Sequence, residues 1–412
     1  MQQQQQDLAY LTWWQRPDLC YQQGALIFAG NPVRELIATH GTPTFVYSRQ
    51  RVASNIQRLK AALDATGLAD RYTILYAMKA NRFAPLLQFL SQQGSVGIDA
   101  CSPNEVAHAV ACGFEPDQIS FTAGSLSQQD LSRLNEFDGL FMDCDSLHAI
   151  KTWGQLNPGS EIGIRVNPGL GVNRAGNDRL QYAGDVTTKF GIYKEQFADA
   201  LELAKQYQLT VSKIHFHTGC GFLTSELNQL DQVITACLWF VDNCPTVTRV
   251  NVGGGLGVPH VASDNPLDLS KWAALLEKHF AARDIHLELE PGEYIVKDSG
   301  ILLLSKTYLE KKRDTLFLGV DAGFNIAPEP AYYNLPFQPV SLIDPQADNA
   351  TTLENVMVVG NINEALDVWY QDALLPDMSE ETHLVLINAG GYSSSMASNH
   401  CMRGDFKEVL LD

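Results

Sequence analysis

The feature that most restricts the fold of this chain is an alternation. Between about residues 43 and 290, short apolar runs with strand character are followed by longer segments of helical periodicity. "TILYAM" precedes a helical pattern from about Ala84, "SVGIDA" one that begins "SPNEVAHAVACG", and "ISFTAG" one that begins "SQQDLSRLNEF". "GLFMDC", "EIGIRVN", "VSKIHFH", "RVNVGGG" and "HLELEPG" bring the series to eight strand candidates. Strand–helix alternation demands a parallel sheet with right-handed crossovers, because a tight turn cannot join two parallel strands. Eight such units predict a closed (β/α)8 barrel of the TIM type, with an open doubly wound sheet as the alternative.

Beyond residue 295 the pattern changes to strands and turns with few helices, in "GILLLSKTYLEKKRDTLFLGVDAG", "ENVMVVGNIN", "LDVWYQD" and "HLVLINAGGY". The expected organisation is therefore a barrel over 43–294 and a β domain, a barrel or sandwich, over 295–412. Residues 1–42, with "GALIFAGNPV", read as an N-terminal segment that packs with the β domain. The opening "MQQQQQDLAY" has neither a basic start nor an apolar core, so it reads as a disordered tip rather than a secretory signal.

Charge narrows the partners. The chain has 47 acidic and 29 basic residues among 412, a formal net charge of -18. Nucleic acid and anionic membranes both need clustered Lys and Arg, so neither is expected as a partner. The eight cysteines are scattered without C-x-x-C spacing, which points to reduced thiols in the cytoplasm and to no metal site.

In a parallel barrel, chemistry gathers at the C-terminal strand ends. Those ends carry Lys79, Asp99, Arg165 with Asn167, His215 with His217, the glycines of "GGGLG" and Glu290. Singly each has a plain structural reading: Asp99 before "SPNE" could be a helix cap, and "GGGLG" lacks the G-x-G-x-x-G spacing of a dinucleotide turn. Together they are the parts needed to hold pyridoxal phosphate: a lysine for the Schiff base, glycine N–H groups for the phosphate, a carboxylate for the ring nitrogen and a flat side chain for the ring face.

The segments "YAMKAN", "IDACSPNEV", "RVNPG", "TKFGI", "HFHTG", "NVGGGLG", "LEPG", "VDAG", "EALDVW" and "GGYSSSMASN" run in order over almost the whole chain. In them the sequence resembles the pyridoxal-phosphate decarboxylases that join an alanine-racemase-like barrel to a β domain, the diaminopimelate and ornithine decarboxylase group. The resemblance implies that Lys79 carries the cofactor, that Asp99 and Glu105 support the lysine and its proton transfers, and that His217 stacks on the ring. It implies that Glu290 pairs with the ring nitrogen and that Gly254, Gly255 and Gly292 hold the phosphate with the Tyr392 hydroxyl. It further implies a homodimer in which Asn363–Asp367 of one chain, with Glu364 and Asp367, reaches the partner's site and its amino-acid substrate.

The pattern is also broken. The family reads "CESGD" where this chain has "NEALD", and the asparagine amide at Asn363 cannot replace a thiol as proton donor. The serine of the family's "HxHxGS" is Cys220 here. Diaminopimelate decarboxylases read "EPGR" and "RPALY" where this chain reads "EPGE" and "EPAYY". Glu293 and Glu329 thus replace two arginines that grip a distal carboxylate, while Tyr333 is kept. These exchanges predict an amino-acid substrate other than diaminopimelate, with a cationic distal group. An amino-acid racemase on the same barrel and a catalytically silent cofactor-binding relative remain as alternatives.

Overall fold

The computed structural model describes residues 11–172, 174, 177–180, 182–184, 186–346 and 353–412; the glutamine-rich start lies outside them. Two compact units are formed: residues 56–258 with 265–294, and residues 1–55 with 259–264 and 295–412.

The first unit is the expected barrel. Its strands are β1 (Tyr72–Ala77), β2 (Gly97–Ala100), β3 (Ile119–Thr122), β4 (Phe141–Cys144), β5 (Glu161–Asn167), β6 (Thr210–His215), β7 (Arg249–Asn251) and β8 (His286–Leu289). Each pairs in parallel with the next, and β8 pairs with β1, which closes the cylinder and excludes the open sheet. Helices follow the strands because the apolar positions shift from a two-residue to a 3.6-residue period. In Pro103–Ala111 that shift buries Val106 and Ala109, and the Ser102 hydroxyl caps the start by accepting the Glu105 N–H at 3.1 Å.

The interior of this barrel is unusually polar. Such cylinders are commonly filled by branched apolar side chains, yet Ser120, Asp143, Lys213, His215, Asn251, Glu288 and Glu290 are all buried here. Gly163 on β5 makes the room: a Cβ at that position would lie 1.7 Å from Asp143 Oδ1 and 3.0 Å from Lys213 Cε.

The second unit is a mixed β structure. Strands Pro339–Ser341, His383–Ile387, Gly300–Lys312, Thr315–Val320, Leu353–Val359 and Val368–Pro376 lie in that order. Thr44–Ser48 pairs with Gly300–Lys312 on one side and with Lys407–Leu411 on the other. Alternate residues Ile301 and Leu303, with Val385 and Ile387 of the neighbouring strand, face a core shared with Trp14, Leu19, Leu26 and Phe28. Each such buried aliphatic side chain contributes roughly 1.5–3 kcal/mol.

The boundary expected at residues 42 and 43 needs correction. "TFVYS" is a strand of the second unit, antiparallel to Gly300–Leu303, and the division falls between Asn55 and Ile56. Its burial on both faces looks like that of a barrel strand, and only the choice of pairing partner separates the two. Among the described residues no helix is long and apolar enough to cross a membrane.

Candidate active site

The C-terminal end of β1 is stitched to its surroundings through the backbone. Ala77 N–H donates to Pro291 O (3.4 Å) and Met78 N–H to Asp99 O (3.2 Å), so the chain turns and presents Lys79 beside β2. Lys79 Nζ lies 2.8 Å from Asp99 Oδ2 and 3.6 Å from Cys101 Sγ. The lysine side chain is 41% exposed and Asp99 only 2%, so a reachable amine stands on a buried carboxyl. Burial and the nearby Glu290 raise the Asp99 carboxyl to about 6, against the pull of Lys79. Cys101 is pushed up to about 12 by burial, so a neutral thiol sits next to the amine. Nothing in the sequence pointed to Cys101, since a cysteine one residue past a strand end carries no signal of its own.

Glu105, expected to support the lysine, contacts the backbone beside it. Its carboxylate accepts the Cys101 N–H at 2.7 Å, a helix-start contact that fixes the backbone leading from Asp99.

Opposite the lysine, Glu290 ends β8. Asn251 Nδ2 donates to Glu290 Oε1 at 2.7 Å, and His215 Nε2 lies 3.2 Å from Oε2, an ion-pair distance without hydrogen-bond alignment. Burial works against the Glu290 anion, yet His215, Lys79 and Lys213 hold its carboxyl well below the usual range. His217 differs from His215: burial, Arg165 and Lys79 push its ring down to about 3, so it is neutral at pH 7. Tyr182 packs against it at 4.9 Å between ring centres.

The turn after β7 has no space for side chains. A Cβ on Gly254 would lie 2.1 Å from Glu290 O. Among the described residues, the N–H groups of Gly254, Gly255 and Gly292 donate to no protein acceptor. Three unsatisfied donors near a half-exposed amine, a buried anion and a neutral flat imidazole fit a phosphorylated aromatic aldehyde. Asp143, His215 and Glu290 also bring ligand atoms within 4.8 Å of one another. The Lys213 ammonium, 2.8 Å from Asp143 Oδ2, already supplies positive charge there, so the cluster reads as an ion-pair network.

Glu293, also in the barrel unit, is buried. It accepts the Val258 N–H at 3.1 Å and lies 3.6 Å from Arg174, which is itself buried. In the β unit, Glu329 forms a buried ion pair with Lys297, which also donates to Gly391 O at 2.8 Å. The two acidic side chains expected to face a cationic substrate end are thus buried and paired inside the protein. A carboxylate removed from water needs a positive partner, and each has found one inside the protein. Tyr333 is half-buried in the short helix that Glu329 begins. Tyr392 adopts a left-handed backbone, φ 53°, directly after Gly391.

Asp367, expected as a substrate contact, is engaged by the backbone of its own unit. It is buried and accepts the N–H groups of Ile362 (2.6 Å) and Phe324 (2.7 Å), which shapes the loop before it. Asn363 and Glu364 stand exposed on that loop, with Glu364 Oε1 3.2 Å from His400 Nε2.

A model of the pyridoxal-dependent decarboxylase family, described as its pyridoxal binding domain, matches residues 49–297. This chain belongs to the pyridoxal-dependent decarboxylases. It is 31% identical to a diaminopimelate decarboxylase of Methanothermobacter thermautotrophicus, over 94% of this chain and 91% of that protein. Against the diaminopimelate decarboxylase of Escherichia coli K12 the identity is 30%, over 92% and 90%. The crystal structure of the Helicobacter pylori diaminopimelate decarboxylase complexed with L-lysine superposes with a TM-score of 0.81 at 26% identity, over 92% of this chain and 94% of that one. Like its family, this decarboxylase uses pyridoxal phosphate.

The neutral His217 of this decarboxylase has a consequence in the protein without cofactor. Its folded pKa of about 3 lies below the ordinary histidine value of 6.5, so the stability it contributes is complete above pH 6.5 and is lost as pH falls toward 3. Asp99, raised from 3.8 to about 6, works in the opposite sense, its contribution fading as pH rises through that window. Urea unfolding between pH 7 and 5 is expected to show a shallower acid loss in His217→Asn than in the parent. Parallel curves would mean that the ring is charged in the folded protein.

Proposed function

We propose that this decarboxylase acts on an amino acid other than diaminopimelate, as a homodimer whose sites are shared between chains. The observation that carries the substrate reading is that Glu293 and Glu329 stand where the resemblance places two carboxylate-gripping arginines. Each is closed by an internal cation, Arg174 and Lys297. A distal carboxylate would meet buried acids in place of free guanidinium groups, and a cationic end would meet acids whose charge is already taken. A distal end without net charge is the reading that remains. Carbon dioxide release from a panel of diaminopimelate, basic, neutral and hydroxylated amino acids tests it. Diaminopimelate as the most rapidly turned over substrate would overturn it.

Bound pyridoxal phosphate supplies the electron withdrawal that lets the bond between Cα and the carboxylate break. Lys79 would bind it covalently, and Asp99, with its carboxyl held near 6, would take or return a proton at Nζ. Glu290 would face the ring nitrogen as an anion, His217 would cover one ring face as a neutral imidazole, and Gly254, Gly255 and Gly292 would donate to the phosphate. The resemblance adds the Tyr392 hydroxyl.

Support for the dimer comes from the β unit, where Asn363 and Glu364 are exposed and Leu366 (47%), Tyr332 (51%) and Met402 (85%) are apolar and open to solvent. Apolar surface left open to solvent commonly marks an interface where it forms a contiguous patch. Mixing a Lys79→Ala chain with an Asn363→Ala/Glu364→Ala chain is expected to restore activity through one intact shared site. Folded, exchanging mixtures with no recovery would refute sharing. Asn363→Cys returns the family's thiol, and the expected outcome is a change in turnover and in the ratio of amine to side products. An unchanged ratio would take position 363 out of the proton path.

A further inference from the structure

Below Glu290 the barrel interior holds a continuous string of buried charge. His215 lies 3.2 Å from Glu290 on one side, and its Nδ1 is 3.3 Å from Thr122 Oγ1 and 3.9 Å from Asp143 Oδ2 on the other. Asp143 Oδ2 also accepts the Ser120 hydroxyl (3.0 Å) and the Lys213 ammonium (2.8 Å). Lys213 continues to Glu288 at 2.8 Å, and Glu288 to Arg249 at 3.5 Å. The string ends at a cavity of about 730 Å³ at the N-terminal mouth of the barrel, lined in part by Lys213, Arg249 and Glu288. An apolar filling would serve the fold as well, since buried ion pairs are commonly replaceable by packed hydrophobic residues without loss of stability. That the string ends on Glu290 gives it a different purpose.

The count of charges identifies the pivotal member. Asp143, Glu288 and Glu290 are three buried carboxylates; Lys213 pairs with the first two, and Arg249 lies 3.5 Å from both Glu288 and the exposed Glu161. Lys79 is engaged with Asp99 at 2.8 Å. The third positive charge falls to the imidazole that lies between Asp143 and Glu290. Asp99, Asp145 and His217 also interact electrostatically with His215. His217 is neutral, and Asp99 and Asp145 are acids.

We propose that His215 is a positioning residue, an imidazolium held between Asp143 and Glu290 that keeps the Glu290 carboxylate ionised and oriented toward the cofactor's ring nitrogen. This rests on the reading of Glu290 given above and extends it to a group that touches neither cofactor nor substrate. Asn251 Nδ2 hydrogen-bonds one oxygen of Glu290 from β7, and His215 Nε2 stands 3.2 Å from the other from β6, so the carboxylate is held by a donor on one side and faces the imidazole on the other. Loss of the positive charge would leave three carboxylates facing two cations and draw a proton onto Glu290, away from the ring nitrogen.

Nitrogen NMR tests this in two independent ways. In the parent protein without cofactor, labelled histidine is expected to show both His215 ring nitrogens protonated at pH 7, with the assignment made by comparison with His215→Gln. In the loaded protein, ring-labelled pyridoxal phosphate reports its own protonation. Replacement by glutamine keeps a donor near Glu290 but removes the charge. It is expected to move the midpoint for loss of the ring proton down by about one pH unit or more, a tenfold lower protonated fraction above that midpoint. A neutral His215 in the parent, or a glutamine variant that titrates with the parent, would overturn the proposal. A merely structural histidine would lower stability without moving the ring nitrogen. Failure of the parent to load the cofactor would instead refute the assignment of Lys79 and Glu290, while the charge of His215 would still be decided in the unloaded protein.

Discussion

Lys79→Ala is expected to abolish covalent cofactor capture, with loss of the visible absorbance of lysine-bound pyridoxal phosphate. Turnover should fall on the order of 10⁴-fold or more, the scale seen when a covalent or proton-transferring group is removed. The structure sharpens the expectation by showing what else the substitution touches. Lys79 Nζ is the cation 2.8 Å from the buried Asp99 carboxyl, so its loss raises an already elevated Asp99 pKa further. Lys79→Arg separates the two effects: it keeps a positive charge for Asp99 but cannot form a carbon–nitrogen double bond. Both variants should be inactive, while the arginine variant should keep the parent's acid stability more closely. Covalent cofactor capture by Lys79→Ala, measured by borohydride trapping and peptide mass, would reassign the site.

Breaking the Lys297–Glu329 pair is expected to have the largest effect on stability. Lys297 is fully buried and the Glu329 side chain is 3% exposed, so Lys297→Met leaves a carboxylate without its counter-charge in a dry interior. Removal of one member of such a pair costs about 3–5 kcal/mol, roughly 10 °C of melting temperature for a unit of this size. The double replacement by methionine should recover much of that loss. Trp369 offers a fluorescent probe in the same unit. Its ring packs on Phe337 at 6.0 Å between centres, and Lys297 Nζ lies 4.5 Å from the centre of that same Phe337 ring. The experiment also decides what Glu329 is for. A structural carboxylate gives Glu329→Gln a lowered transition with unchanged substrate preference. A substrate-facing one would give altered preference at unchanged stability.

The eight strands and their helical crossovers were legible in the sequence because period and turn signals are local. The order of strand-end residues was legible too, since a closed parallel cylinder brings all C-terminal ends to one mouth whatever the loops do. Lys79, Asp99, His217, Glu290 and Gly254 could be picked out for that reason. The strand Thr44–Ser48 could not be placed, because alternation says that a run is buried but not which edge it joins.

What tertiary structure decided was the fate of charge. Glu293, Glu329 and Asp367 read in the sequence as acids waiting for a substrate. Their partners Arg174 and Lys297, and the Phe324 N–H that binds Asp367, are between 32 and 119 positions away along the chain. Sequence separation hides such pairs, and burial makes them obligatory, since a carboxylate that leaves water must find a cation or N–H groups inside. The same holds for His215 and His217. Two residues apart at one strand end, they meet different surroundings, one set between Asp143 and Glu290 and the other beside Arg165 and Lys79. The sequence by itself determined which side chains reach the mouth of the barrel; only the folded surroundings decided which of them are charged there.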